Sequence, residues 1–310
     1  MGGGSWSAGT YNNVTSSRIS SGNTFGYTKD TYSRPSSEWK AHESVDPLAV
    51  NGPSSPFAGQ NIRESRDNPE HPQSTPIAVF FDETGSMGQV PRQLQADLAK
   101  LFGLLVDQGM CTDPQIMMGA YGDAEIDSVP LQAGQFESDN RVDEALNNLF
   151  LEGGGGGNGH EHSALAWYFT ANHTDTDNWN KRGKKGYLFT IGDETTGTIP
   201  RQAIHKYVGG ATETDVTPKQ ALAMANEKWN VFHIVIDNYS AKDQRSVEHY
   251  TKLLGGNCIV VENLNDIAET IATIIGYFEG NLDSNTKVSK GTIQRVHAVG
   301  AGKRPALTSV

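Results

Sequence analysis

The chain has 310 residues, 36% of them hydrophobic, and a formal net charge of -11 at pH 7. This length fits one sizeable domain with extensions, or two small domains. The acidic balance disfavours nucleic acid and anionic membranes as main partners, and no segment reaches the roughly 20 consecutive apolar residues of a membrane span.

The signals for cellular compartment point to the cytoplasm. The N-terminal sequence, Met1 to Trp6, lacks the basic and apolar regions of a secretory signal peptide. Cys111 and Cys258 are the two cysteines, too few for the disulfide framework of a small secreted protein. We therefore expect a protein of a reducing compartment.

Residues 1–75 are rich in Ser, Gly, Asn, Thr and Pro and lack aliphatic periodicity, so this segment cannot build a core of its own. Aromatic residues are spread through it: Trp6, Tyr11, Phe25, Tyr27, Tyr32, Trp39 and Phe57. This composition predicts an irregular N-terminal arm that docks onto its own domain or onto a neighbour. A disordered tail is the alternative.

Strands and helices alternate from residue 76 onward. Pro76–Phe81 is continuously apolar, which predicts a strand buried on both faces. Leucines at helical spacing predict a helix over 91–107. Ile116–Tyr121 is the next predicted strand, and Val129–Phe136 is a short edge strand that pairs with it in a hairpin.

The remaining elements follow the same alternation up to residue 282. Thr217 to Gln220 forms a capping box with Pro at the first helical position. The other predicted elements are helices over Arg141–Leu151, Ala164–Ala171, Thr217–Lys228 and Ile267–Phe278, and strands over Tyr187–Ile191, Val231–Ile236 and Cys258–Val261. Such alternation predicts a doubly wound α/β fold over 76–282, with a mostly parallel, Rossmann-like sheet covered by helices on both faces. Residues 283–310 form a basic C-terminal tail.

A polar motif follows the first buried strand. Asp82, Thr84 and Ser86 place one carboxylate and two hydroxyls on a tight turn. Oxygen ligands at this spacing suit a hard divalent cation, Mg²⁺ before Ca²⁺ or Mn²⁺. The alternative is a simple strand-to-helix turn in which Ser86 caps the next helix.

Two further loops are expected at the same edge of the sheet, because ligands bind at the carboxyl ends of parallel strands in such folds. The glycine run Gly153–Gly157 leads to Asn158 and Glu161, and the strand over Tyr187–Ile191 leads to Asp193. Asp123 ends the second strand. There it either accepts a hydrogen bond from a metal ligand or stabilises the turn after the strand.

These motifs resemble those of the von Willebrand factor A domain with a metal-ion-dependent adhesion site. The family pattern Asp-x-Ser/Thr-x-Ser is matched by Asp82, Thr84 and Ser86, and the Asp of its third loop by Asp193. The second loop of the family usually supplies a Thr. Here that loop is similar to a bacterial and phage subgroup with the pattern Gly-Gly-Gly-Asp-x-x-Glu.

The second loop departs from that subgroup at one position, because Asn158 replaces the Asp, whereas Glu161 matches the Glu. The resemblance implies that Thr84 and Ser86 bind metal directly, and that Asp82 and Asp193 bind it directly or through water. Glu161 is the first choice for the third direct ligand and Asn158 the second. One coordination position would remain open for a carboxylate of a protein partner.

The resemblance implies a metal-dependent protein-interaction module rather than an enzyme. This module would serve as an adaptor for an AAA+ ATPase in the cytoplasm. The alternative is a structural component of a phage particle or other large assembly, with the N-terminal arm bound to neighbouring subunits.

Catalytic interpretations fit the sequence less well. His160 and His162 are two residues apart in a predicted loop, whereas the helical zinc-protease motif needs two His four residues apart. The glycines of 154–159 lack the Lys-Ser/Thr pair of a nucleotide-binding loop. His233 lies within a strand pattern, where a hydrogen-bonded core histidine is expected.

Overall fold

A six-stranded sheet forms the centre of this computed structural model, which describes residues 4–21, 25–87, 89–153, 159–210, 212–236, 241–282 and 292. The strands in these ranges are β1 (Arg63–Ser65), β2 (Thr75–Asp82), β3 (Pro114–Tyr121), β4 (Leu131–Ala133), β5 (His160–Glu161), β6 (Thr174–Thr176), β7 (Gly186–Gly192), β8 (Thr195–Thr196), β9 (Trp229–Ile236) and β10 (Cys258–Val261).

Helices lie between most of these strands. They are α1 (Ala8–Ser21), α2 (Gly26–Tyr32), α3 (Val90–Phe102), α4 (Arg141–Asn147), α5 (Ser163–Asn172), α6 (Asp177–Arg182), α7 (Arg201–Ala203), α8 (Pro218–Lys228), α9 (Ala241–Leu254) and α10 (Ile267–Glu279). Single π-helical turns, Gly103–Asp107 and Ile204–Val208, extend α3 and α7. No helix within the described ranges is long and apolar enough to cross a membrane.

The strand order of the central sheet is β10-β9-β7-β2-β3-β4. Every neighbouring pair is parallel except β3 and β4, which are antiparallel. The chain passes from β2 to β3 and β4 on one side, and then places β7, β9 and β10 on the other. The strand order therefore reverses at β2, so that a crevice is expected between the carboxyl ends of β2 and β7.

The sheet is buried on both faces, as the continuous apolar run of β2 predicts. Ile77, Val79 and Phe81 contribute to the core under α3 and α10, whereas Ala78 and Phe80 contribute to the core under α5 and α8. The predicted doubly wound α/β architecture is confirmed.

The predicted elements of the domain are present, with small differences at their ends. The capping box of Thr217 and Gln220 is formed in both directions, and buried His233 contacts the Thr190 hydroxyl at 2.8 Å. The helix predicted over Arg141–Leu151 ends at Asn147. The N–H groups of Asn148 and Leu149 still donate to carbonyl oxygens of the helix. The chain then leaves the helix, because Phe150 N–H donates to Gln132 Oε1 and Leu151 N–H to Thr28 Oγ1.

The segment predicted as an irregular arm is only partly irregular, because it contains α1, α2 and β1. Its aromatic residues dock onto the domain of the same chain. Trp6 stacks on Phe102 with 4.2 Å between ring centroids, and the buried Tyr11 hydroxyl donates to the carbonyl oxygen of Gln95. The tail predicted for 283–310 lies outside the described residues, apart from Thr292.

We expect Tyr11→Ala to lower the free energy of unfolding by about 3 kcal/mol, because it removes a fully packed aromatic ring between α1 and α3. Val14→Ala on the same helix is the control, since Val14 is 39% exposed and should change stability by less than about 0.5 kcal/mol. Urea unfolding of both variants measures the difference. Equal stability of the two variants would mean that the arm does not dock.

Candidate metal centre

The turn after β2 holds the first two residues of the predicted metal motif. Asp82 is the last residue of β2 and is buried, and its Oδ1 accepts a 2.8 Å hydrogen bond from Thr84 N–H. Thr84 is also buried. The backbone of Ser86 lies in the one-turn 3-10 helix Gly85–Met87, but its side chain is outside the described part of the structure.

The end of β7 brings Asp193 to the same edge. The β2–β7 register pairs Phe81 with Ile191, so the residues that follow both strands emerge side by side. Gly192 lies between Ile191 and Asp193. Glycine fits there because a Cβ at this position would lie 2.3 Å from the hydroxyl of Tyr121. The carbonyl oxygen of Asp193 accepts a 2.8 Å bond from Ser246 Oγ, which ties this loop to α9.

Three of the predicted ligands lie near enough to one buried phenol to influence its pKa. Tyr121 donates to the carbonyl oxygen of Ile191 at 3.0 Å. Its pKa lies well above the usual value because of burial, then because of Tyr250 and the negative charges of Asp82, Glu161 and Asp193. The residues that the sequence assigns to three separate loops therefore lie near the carboxyl ends of β2 and β7, but their carboxyl groups do not form a group of described ligand atoms within 4.8 Å of one another.

Glu161 is a buried carboxyl group with one oxygen that has no hydrogen-bond partner among the described residues. Glu161 lies in β5, which pairs with β8, and it is only 5% exposed. Its Oε2 has no hydrogen-bond partner among the described residues. Its pKa is raised to about 10, mainly by burial and then by the negative charges of Asp82, Asp127 and Asp123. A bound cation would relieve this burial cost. Asn158, the other candidate of this loop, lies outside the described residues.

Glu83 adds an acidic group that the sequence motif did not indicate. It is buried, and Oε2 accepts a 2.6 Å bond from Gln132 while Oε1 has no partner within the described ranges. Its pKa is raised well above the usual value by burial and then by Asp127 and Glu152. The only sequence signal was its place at the variable position of the motif.

Asp123 lies next to a histidine rather than only in a turn. Its Oδ1 accepts a 2.8 Å bond from Glu125 N–H, which is the turn role, and lies 3.3 Å from Nδ1 of His162. Asp123, Glu125, His160 and His162 each offer one ligand atom, and these atoms lie within 4.8 Å of one another. The segment of His160 was predicted as a loop but forms β5, because it pairs with a strand 35 residues further along the chain. The His-x-His spacing was visible in the sequence, but its partners were not.

The donor set at the edge of β2 and β7 fits a hard divalent cation. The described side chains of this edge offer only oxygen atoms, from Asp82, Thr84, Asp193 and Glu161, and Oε2 of Glu161 has no hydrogen-bond partner among the described residues. Negative charge gathered away from water is stable only when it is protonated or paired with a cation.

Neither a protein-family model nor a curated protein matches this chain. Among solved structures, the pilus adhesin SpaC from Lactobacillus rhamnosus GG is similar over 69% of this chain with 9% identity and a TM-score of 0.46, and the chain spans 31% of the length of that protein. The von Willebrand factor domain of the type V pili tip protein Mfa5 from Porphyromonas gingivalis is 10% identical over 69% of this chain and 97% of its own, with a TM-score of 0.42.

A third similar structure is proximal thread matrix protein 1 from the mussel byssus, with 10% identity over 65% of this chain and 47% of that protein, and a TM-score of 0.42.

Proposed function

We propose that this chain is a metal-dependent protein-interaction module of the von Willebrand factor A type, in which a Mg²⁺ ion binds an acidic side chain of a partner. The observation that carries this proposal is the buried, partly unpaired carboxyl group of Glu161, with Asp82 and Asp193 beside the same phenol. These groups gain stability if a cation binds among them.

The ligand set proposed for the ion follows the order of the three loops. Thr84 and Ser86 would supply hydroxyl oxygens, and Asp82 and Asp193 would bind directly or through water. Glu161 would complete the site from β5, with Asn158 as the alternative from the same loop. The N–H of Thr84 holds the Asp82 carboxylate in place, so the first loop is organised before the ion arrives.

When bound, Mg²⁺ supplies a coordination position at which a partner carboxylate replaces a water molecule. The chain itself needs only to hold the ion and leave one position exposed. We assign no catalytic step to this edge, because binding an external carboxylate requires neither a nucleophile nor a general base. Ca²⁺ or Mn²⁺ would suit the same oxygen donors.

Two biological roles fit such a module. It would act as an adaptor for an AAA+ ATPase, or as a structural component of a phage particle or other large assembly. The second role uses the N-terminal arm to bind neighbouring subunits. The docking of Trp6 and Tyr11 onto the same chain favours the adaptor, since Tyr11 is already buried and Trp6 partly buried within the molecule.

We expect Mg²⁺ at about 100 times its dissociation constant to raise the free energy of unfolding by about 2.7 kcal/mol, and Thr84→Val to lose most of this rise. The substitution keeps the shape of the side chain and removes the hydroxyl. Thr273→Val is the matched control, because Thr273 is equally buried but bonds to Glu269 within α10. Thermal unfolding in EDTA and in Mg²⁺ measures both variants. An equal Mg²⁺ effect in Thr84→Val would overturn the ligand assignment.

A capture experiment then tests the role of the ion. Proteins held by the immobilised chain in Mg²⁺ should be released by EDTA and absent from the Thr84→Val column. An AAA+ ATPase among them supports the adaptor role. Capture that survives chelation and needs residues 1–75 supports the assembly role instead.

A further inference from the structure

A second group of metal-binding side chains lies beside the proposed Mg²⁺ site and differs from it in chemistry. Asp123 and His162 are fully buried, His160 is half-buried and Glu125 is exposed. Imidazole nitrogens and carboxylate oxygens together suit Zn²⁺ and its first-row neighbours, whereas Mg²⁺ prefers oxygen alone. We propose that Asp123, Glu125, His160 and His162 form a binding site for a transition-metal ion of the Zn²⁺ type.

The distances between ligand atoms match such an ion. Bonds of about 2.0–2.2 Å from a tetrahedral metal place neighbouring ligand atoms about 3.3–3.6 Å apart. Nδ1 of His162 lies 3.3 Å from Oδ1 of Asp123, and Nε2 of His160 lies 3.5 Å from Oε2 of Glu125. The widest separation in the group is within 4.8 Å, so small side-chain movements close the site.

The hydrogen bonds of His162 indicate that Nδ1 is the ring nitrogen able to bind a metal. Its Nε2 lies 3.2 Å from the carbonyl oxygen of Thr198, which can only accept, so the ring proton belongs on Nε2. Metal-binding histidines commonly donate their second ring nitrogen to a carbonyl in this way. Nδ1 then carries the lone pair of the ring and lies 3.3 Å from Oδ1 of Asp123, and two such acceptors gain from a cation between them.

One bond would be exchanged when the metal binds. Nδ1 of His162 accepts a 3.1 Å hydrogen bond from Ala124 N–H, and the ion would take over this lone pair. Ala124 follows Asp123 directly in the turn after β3, so a small shift of this turn frees the nitrogen and brings the Asp123 carboxylate closer.

The fold places the two imidazoles next to each other. His160 lies in β5, and His162 follows that strand as the residue before α5. Their ring centroids are 5.3 Å apart. Gly197 makes room for them, since a Cβ there would lie 2.5 Å from Cδ2 of His160 and 3.1 Å from Nε2 of His162. The exposed Glu125 leaves an entry path from solvent.

The experiment uses the tag-free full chain with Co²⁺ as a spectroscopic substitute for Zn²⁺. We expect the visible absorption of Co²⁺ with nitrogen ligands, and displacement of this signal by Zn²⁺. His160→Gln and Glu125→Gln should each weaken Co²⁺ binding by at least about 10-fold. The matched controls are His205→Gln and Glu213→Gln, which alter exposed residues outside the group and should bind as the unaltered chain does.

Thr84→Val separates this site from the proposed function. It should lose Mg²⁺ stabilisation and keep the Co²⁺ spectrum if both sites exist, whereas His160→Gln should do the opposite. Far-ultraviolet circular dichroism checks that each variant is folded. A Co²⁺ spectrum that is absent from the unaltered chain, or that persists unchanged in both His160→Gln and Glu125→Gln, overturns the proposal.

Discussion

Replacing Arg63 by methionine is expected to lower the free energy of unfolding by about 3–5 kcal/mol, because a buried cationic anchor with three carbonyl partners is lost. Arg63 is 2% exposed. Its guanidinium donates to the carbonyl oxygens of Ala133 at 3.2 Å, Ala49 at 3.1 Å and Asp46 at 2.6 Å. It thereby connects the N-terminal segment to β4 of the central sheet.

The charge of Arg63 is held by carbonyl dipoles and by Asp46 rather than by a close salt bridge. Burial lowers its pKa to about 10, while the negative charge of Asp46 acts in the opposite direction. Methionine fills a similar volume but donates no hydrogen bond. The three carbonyl oxygens belong to the backbone and lose their donor in the variant, and that of Ala133 is buried, so the lost bonds lower the stability.

Urea unfolding measures this loss. Arg34→Met is the matched control, because Arg34 is exposed and its substitution should change stability by less than about 0.5 kcal/mol. If Arg63→Met unfolds at the same urea concentration as Arg34→Met, then the N-terminal segment is not anchored through this side chain.

Between pH 7 and 8.5, the metal-free protein is expected to become less stable as pH rises, because of Glu161. The pKa of this carboxyl group is about 10 in the folded chain, against a usual value of 4.5. The folded state therefore keeps a proton that the unfolded state has released. Stability from this group is present below the unfolded pKa and is lost as pH rises, by at most about 1.4 kcal/mol per pH unit.

Other titratable groups either do not change protonation between pH 7 and 8.5 or also lower the stability as pH rises. His162 and His233 have pKa values lowered by burial, so they are neutral in both states above pH 7. The pKa of Asp127 is raised to about 6, and its contribution ends below the window. Glu83, whose pKa burial raises well above the usual range, adds to the slope.

Thermal or urea unfolding in EDTA across this window tests the expectation. Glu161→Gln should flatten the slope, whereas Glu262→Gln, an exposed control, should keep it. Mg²⁺ should also flatten the slope, because metal binding favours the ionised carboxylate and releases its proton. A slope that is the same in Glu161→Gln and in the unaltered chain would contradict the assignment of a protonated, buried Glu161.

The site was only partly predictable, because some of its residues are placed by the ends of strands and others by contacts with distant residues. Asp82 and Asp193 follow buried strands, and strand ends meet wherever a parallel sheet forms. Glu83 gave no periodic signal, and its burial depends on Gln132, which lies 49 residues away. The histidine pair was visible as a spacing, but its role depends on Asp123 and on the pairing of β5 with β8.

The sequence by itself determined the doubly wound sheet and the edge at which its polar loops gather. Continuous apolar runs such as Pro76–Phe81 can be buried only between two layers of helices, and that information is local. The tertiary structure alone decided where Arg63, Glu83 and His162 lie, and onto which surface the aromatic arm docks. These positions depend on contacts between residues far apart in the chain, such as Arg63 with Ala133 across 70 residues, which local periodicity does not encode.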